Sequence, residues 1–300
     1  MLSHIGPGSR PFEFARRVVV GVYNDGFIHA GNLAYLTLLA LFPFFIIIAA
    51  ATQLIGRPEE NLAAIQSLLK AFPPSVADMA NSTALQVLTA RTGPLLWFGA
   101  LVGIWTVGSF IETIRDILRR AYGTPYSRPF WQYRLIGLVM IFASVALLIL
   151  AFSAQILLAT TEEVITRFFP AAQSVADRIG GSRFLPTLAT FVATHSLFWS
   201  LSPSQYRGRA FRTWPGALFT TMWWYGSLTL LPRALDQFGG YTLTYGGLAG
   251  VMVALLFFWL VGYGLVIGAH INAALANPDQ KALRGHGVID ELAEAKWLDI

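Results

Sequence analysis

Six long apolar stretches, almost free of charge, constrain this chain more than anything else in it. They run over Ala30–Ile55, Pro94–Ile111, Leu135–Ala159, Phe184–Leu201, Trp214–Leu231 and Gly246–Ala276. An α-helix needs about 20 mostly apolar residues to cross the ~30 Å hydrocarbon core of a bilayer. Each stretch is near or above that length, and the core helices of soluble proteins rarely reach it without a charge. The sequence predicts an all-α fold: a polytopic membrane bundle of six transmembrane helices with short amphipathic interfacial helices.

Composition leaves little room for anything else. Of 300 residues, 55% are hydrophobic and only 12% charged, against about 25% charged in an ordinary globular domain. The longest connection, about Gly56–Gly93, is too short for a separate soluble domain and suits two short helices on the outer face. One covers Leu62 to Phe72 before Pro73-Pro74, and the other runs from Ser75 to about Ala90. The expected organisation is a cytoplasmic amphipathic N-terminal segment over 1–29, a six-helix transmembrane domain over 30–276 and a short cytoplasmic tail over 277–300. In residues 10–28, Phe14, Val18 and Val22 share one face, which predicts a surface helix ahead of the first span. Arg10, Arg16 and Arg17 break any signal-peptide pattern, so Ala30–Ile55 is expected to remain as a span. The absence of cysteine excludes disulfides, thiolate catalysis and Cys-based metal sites.

The net charge of +5 could suggest nucleic acid, but its distribution suggests orientation. With the N-terminus inside, two-thirds of the 21 Lys and Arg residues fall on the cytoplasmic side, as the positive-inside rule requires. Both termini are then cytoplasmic, membrane lipids are the expected partners, and no nucleic acid is expected. Trp97, Trp131, Trp199 and Trp214 lie near span ends, where amphipathic rings favour the interface. Within the spans, Pro43 removes a backbone donor. Gly99-x-x-x-Gly103 and Gly264-x-x-x-Gly268 allow close helix approach. The fourth span is the least apolar, which suits a helix facing the interior.

Several motifs recur in order along the chain. The first span reads AYLTLLALFPF over Ala34–Phe44. A basic helix ends in Ala121-Tyr122-Gly123, followed by RPFWQYRL from Arg128. Further on come Trp214-Pro215-Gly216-Ala217, Tyr245-Gly246 and Gly268-Ala269-His270-Ile271-Asn272-Ala273. With these elements, over roughly residues 12–276, the chain resembles the YihY/BrkB family of bacterial inner-membrane proteins, some once labelled ribonuclease BN. The resemblance implies a six-helix protein of the bacterial inner membrane, associated with envelope phenotypes such as serum resistance and lipid or lipopolysaccharide export. This chain departs from the family pattern at His270, where the family usually carries Glu, and at Arg119-Arg120, where it often carries Asn.

The candidate substrate-pathway residues are the polar groups inside or bordering spans: His195, His270, Asn272, Asn32, Glu112 and Thr194. An ionisable or amide group at membrane depth faces the protein interior or a wet cavity. Each has a plainer reading as a hydrogen bond between helices. His195 and His270 are expected to share one cavity. Glu112, Arg115, Asp116, Arg119 and Arg120 are spaced for an ion-pair ladder along one helix, or for a gate around Glu112. Arg119, Arg120, Arg128, Arg207, Arg209 and Arg212 are the candidates for binding lipid headgroups. No metal ligand set, cofactor motif or catalytic constellation is recognisable, and no P-loop is present. The sequence therefore points to a non-enzymatic membrane protein that moves or gates a lipid-like or amphipathic substrate without its own ATP hydrolysis. The alternative is a structural scaffold of the envelope; a ribonuclease is a distant third. No oligomeric state is specified.

Overall fold

The computed structural model describes residues 9–55, 73–74, 76–78, 80–82, 94–125, 129, 131–139, 184–208, 211–237 and 248–276. Among them the regular structure is helical: α1 (Arg10–Ile55), α2 (Pro94–Tyr122), α3 (Phe184–Leu201), a 3-10 turn (Ser204–Tyr206), α4 (Trp214–Gln237) and α5 (Ala249–Ala276). Residues 131–139 are also helical.

Helix ends follow local chemistry. Pro94 opens α2 and Pro215 sits in the first turn of α4, where the missing N–H costs nothing. Gly123 ends α2 with φ 65°, the left-handed conformation that glycine adopts without a Cβ penalty. Its N–H donates to Arg120 O at 3.1 Å, and the Thr124 N–H donates to Arg119 O at 2.9 Å. This pair of bonds is a Schellman cap. At the end of α3, Arg207 donates from Nε to Ser202 O at 2.8 Å and from Nη2 to Ser200 O at 2.5 Å. Its cation thereby meets the negative end of the helix.

The expected surface helix and first span are one element. α1 runs 46 residues without a break, through the change from amphipathic to apolar sequence and through Pro43. It lies antiparallel to both α5 and α2. Gly21 abuts His270, Gly26 abuts Tyr263, and Ala30 meets Gly262. On the α2 side, Asp25 faces Arg120, Asn32 bonds Thr113, and Pro43 abuts Gly103. Residues 10–28 are thus packed into the bundle instead of lying apart from it. The expected outer helices over 56–93 fall largely outside the described residues, as do most of Leu135–Ala159, Arg128, Arg209 and the tail over 277–300. In 56–93, Val76 and Ala80 are described and buried.

Among the described residues, two buried clusters hold the bundle. One joins Leu33, Ile114, Leu118, Tyr122, Phe198 and Val266; the other joins Ala34, Val76, Leu231, Val253, Phe257 and Phe258. Outside them, large apolar side chains are strongly exposed: Tyr23 at 81%, Ile28 at 76% and Met222 at 67%. Polar residues including Thr220, Ser227, His270 and Asn272 are buried. Apolar outside and polar inside is the arrangement expected in hydrocarbon, whereas a water-soluble protein rarely exposes apolar surface on this scale. Hydroxyls satisfy themselves on the preceding turn: Thr106, Ser109, Thr113, Thr221 and Ser227 each donate to the carbonyl four residues back. Among the described residues, α5 is long and apolar enough, by length and composition alone, to cross a membrane.

Candidate functional site

α5 has two working faces. On one, Asn272 is fully buried and joins α5 to the start of α4. Its Oδ1 accepts from the Gly216 N–H at 2.8 Å, and its Nδ2 donates to Thr213 O at 3.0 Å. The Gly216 N–H lies in the first turn of α4, where no intrahelical partner exists. The amide therefore caps α4 from a neighbouring helix. Below it the seam is tight. A Cβ on Gly216 would collide with the Gly268 carbonyl and the Asn272 side chain. Thr220 Oγ1 donates to Gly264 O at 3.2 Å, and Trp223 Nε1 donates to Leu260 O at 2.7 Å. The Trp-Pro-Gly-Ala and Gly-Ala-x-x-Asn-Ala motifs are the two halves of this seam.

The other face of α5 turns to α1 and to the capped end of α2. Here lies a cavity of about 580 Å³, with Ala121, His270 and Ala273 as its buried floor. Its rim carries Glu13, Arg16, Arg17, Asn24, Asp25 and Arg120. Arg120 pairs with Asp116 at 2.8 Å and reaches Asp25 at 3.9 Å. Arg16 lies 3.8 Å from Glu13. His270 Nε2 is 3.8 Å from Asp25 Oδ2, beyond hydrogen-bond reach, and has no hydrogen-bond partner among the described residues.

The remaining candidates divide between glue and surface. His195 is not part of this cavity. Its Nδ1 lies 3.2 Å from Thr213 Oγ1, and its ring stacks on Phe191 with centroids 6.1 Å apart. The two histidines therefore sit in different environments, contrary to the expectation of one shared cavity. Thr194 is half-buried on the same helix. Asn32 Nδ2 donates to Thr113 Oγ1 at 3.2 Å, tying α1 to α2. Glu112 does not join a ladder with Arg115. Its Oε2 meets Arg134 Nη1 at 3.0 Å, from helical residues 131–139. Arg134 also donates to Ser109 Oγ and to Trp105 O, and its guanidinium lies 4.1 Å from the Trp105 ring centroid. Arg115 and Arg119 are both buried beneath Tyr133, 5.1 and 5.3 Å from its ring centroid. Of the ladder, the Asp116–Arg120 rung forms. Arg207 caps α3, while Arg212 is exposed at the approach to α4. Sequence reasoning left out Asp25, Arg16, Arg17 and Gly21, because they belong to a segment assigned to the membrane surface. Among the described residues no group of three or more His, Asp or Glu is placed to hold a metal ion.

The profile of the virulence factor BrkB family matches residues 23–287, nearly the whole bundle. The chain belongs to this family. Its relatives include the ribonuclease-like protein YfkH of Bacillus subtilis (strain 168), 25% identical over 84% of this chain and 90% of that protein. A UPF0761 membrane protein of Vibrio campbellii (strain ATCC BAA-1116) is 25% identical over 91% of this chain and 85% of its own length. Another, from Vibrio atlanticus (strain LGP32), is 23% identical over 89% and 84%. No solved structure matches. As a BrkB family member with UPF0761 relatives, the protein is a membrane protein. The term ribonuclease-like belongs to the Bacillus protein's name.

Proposed function

We propose that this BrkB family member is a six-span, multi-pass protein of the bacterial inner membrane, with both termini cytoplasmic. It binds an amphipathic, lipid-like envelope substrate and moves or gates it without catalysing a reaction or hydrolysing ATP. One observation carries the reading: a charged cavity lies at the end of the bundle, between α1, α2 and α5, beside helices whose outer faces are apolar. An amphipathic molecule needs both surfaces together, a polar basin for its head and an apolar flank for its tail. The basic bias of the loops supports the orientation.

Purified protein reconstituted into liposomes with fluorescent phospholipids tests the reading. Protein-dependent movement of label between leaflets is expected. Folded, inserted protein that leaves leaflet exchange at the rate of empty vesicles would overturn it in favour of a scaffold. Reporter fusions at Asn277 and within 56–93 should report cytoplasm and periplasm respectively; a periplasmic C-terminus would overturn the topology.

A further inference from the structure

The cavity carries both signs of charge, and that restricts what it can hold. Arg16, Arg17 and Arg120 line it together with Glu13 and Asp25. A simple anion would meet two carboxylates, and a simple cation would meet three guanidiniums. A ligand bearing a phosphate and an ammonium a few bonds apart satisfies both sets, since guanidinium–phosphate and ammonium–carboxylate contacts are charge-assisted hydrogen bonds. At the floor, His270 is 7% exposed, and its Nε2 has no hydrogen-bond partner among the described residues. A buried polar atom without a partner costs free energy, and a ligand oxygen or nitrogen reaching the floor would remove that cost. The volume of about 580 Å³ lies within the roughly 300–1,000 Å³ of small-molecule sites.

The surroundings indicate where the rest of such a ligand goes. Val20 lines the cavity and is exposed. One and two turns on, Tyr23 and Phe27 continue the exposed face at 81% and 63%. Phe27 then meets Trp259 and Tyr263 of α5, with ring centroids 5.3 and 5.6 Å away. An aromatic track thus leads from the polar basin along the groove between α1 and α5, toward the apolar middle of α5.

We infer that the cavity is a binding site for a zwitterionic phospholipid headgroup of the phosphoethanolamine type, with phosphate on Arg16, Arg17 and Arg120, ammonium on Asp25 and Glu13, and acyl chains along Val20, Tyr23 and Phe27. This deepens the proposed function and rests on its premise that the substrate is lipid-like.

Native mass spectrometry of the full-length protein in detergent, offered equal phosphatidylethanolamine and phosphatidylglycerol, tests it. Roughly tenfold preference for the ethanolamine lipid is expected, the loss of one charge-assisted contact being worth about that factor. Asp25→Asn should abolish the preference while phosphatidylglycerol still binds, and Arg120→Gln should weaken both lipids. Should a variant fold poorly, competition on the wild-type protein decides. Soluble phosphoethanolamine should displace the lipid only at large excess, and phosphate or ethanolamine alone should not. Equal binding of the two lipids, or a preference that survives both substitutions, overturns the site. Phosphoethanolamine that competes as well as the intact lipid, with Tyr23→Ala and Phe27→Ala without effect, overturns the assignment to a membrane lipid. Leaflet exchange without headgroup preference would sink this inference and spare the proposed function. Selective binding without leaflet exchange would do the reverse.

Discussion

His270 and Asn272 stand two residues apart on one helix and do opposite things. Two residues turn an α-helix through roughly 200°, so the pair looks out on opposite neighbours. Asn272 meets α4 in a seam closed by small residues, and both ends of its amide are hydrogen-bonded. His270 meets α1 at the floor of a charged cavity, with Nε2 unpartnered among the described residues. Polarity buried within the bundle is therefore no single property. On the seam it replaces backbone bonds that a helix start lacks; in the cavity it remains available to something else. Stability should reside in the first region and ligand response in the second.

Asn272→Leu is the strongest challenge to that division. It takes the acceptor from the buried Gly216 N–H, at roughly 1–3 kcal/mol, and one of two donors from the Thr213 carbonyl, which keeps the Ala217 N–H at 3.4 Å. A loss of about 3 kcal/mol is expected in unfolding from mixed micelles. A neutral result would remove the structural meaning of the seam. Gly216→Ala comes next. Its Cβ would meet backbone at the Gly268 carbonyl, and overpacking of that kind costs about 2 kcal/mol. A rise in thermal stability instead would show that α4 and α5 are not in close contact there.

On the cavity side the effects shrink and become conditional. Gly21→Ala pushes a methyl into the His270 ring, but the ring has a cavity to swing into, so about 1 kcal/mol is expected. The same change in a His270→Ala background should be neutral or slightly stabilising, because alanine favours a helix over glycine. A double-mutant cycle reads the coupling directly. His270→Leu is the smallest for stability, within about 0.5 kcal/mol, since the buried Nε2 it removes has no hydrogen bond among the described residues, only Asp25 Oδ2 at 3.8 Å. It should nonetheless slow leaflet exchange. A large stability loss with normal exchange would make His270 glue, like Asn272.

Much of the skeleton was legible in the sequence. α3 spans Phe184–Leu201, as its apolar run predicts, and α2 and α4 start at Pro94 and Trp214 as expected. Proline near a helix start and an uninterrupted apolar run are local signals, and local signals survive folding. The continuity of α1 was not legible. The change from amphipathic to apolar near Ala30 looks like a boundary, yet backbone hydrogen bonding continues through it. The partner of Glu112 was not legible either. Arg115 is near in sequence, but Arg134 is the residue that tertiary packing delivers. His195, His270 and Asn272 formed one class on composition alone. Only the neighbouring helices separate them, and no periodicity within α3 or α5 names those neighbours.

The unbroken α1 has a mechanical consequence. At 1.5 Å per residue its 46 residues make a rod roughly 69 Å long, more than twice the thickness of a hydrocarbon core. Pro43, wedged against Gly103, is a natural fulcrum, and Arg16 lies roughly 40 Å along the rod from it. A tilt of about 10° at that point would sweep Arg16 through roughly 7 Å, while the groove beside Pro43 would barely change. Any such tilt would be felt most at the charged mouth, as a short rotation at an oarlock becomes a long stroke of the blade.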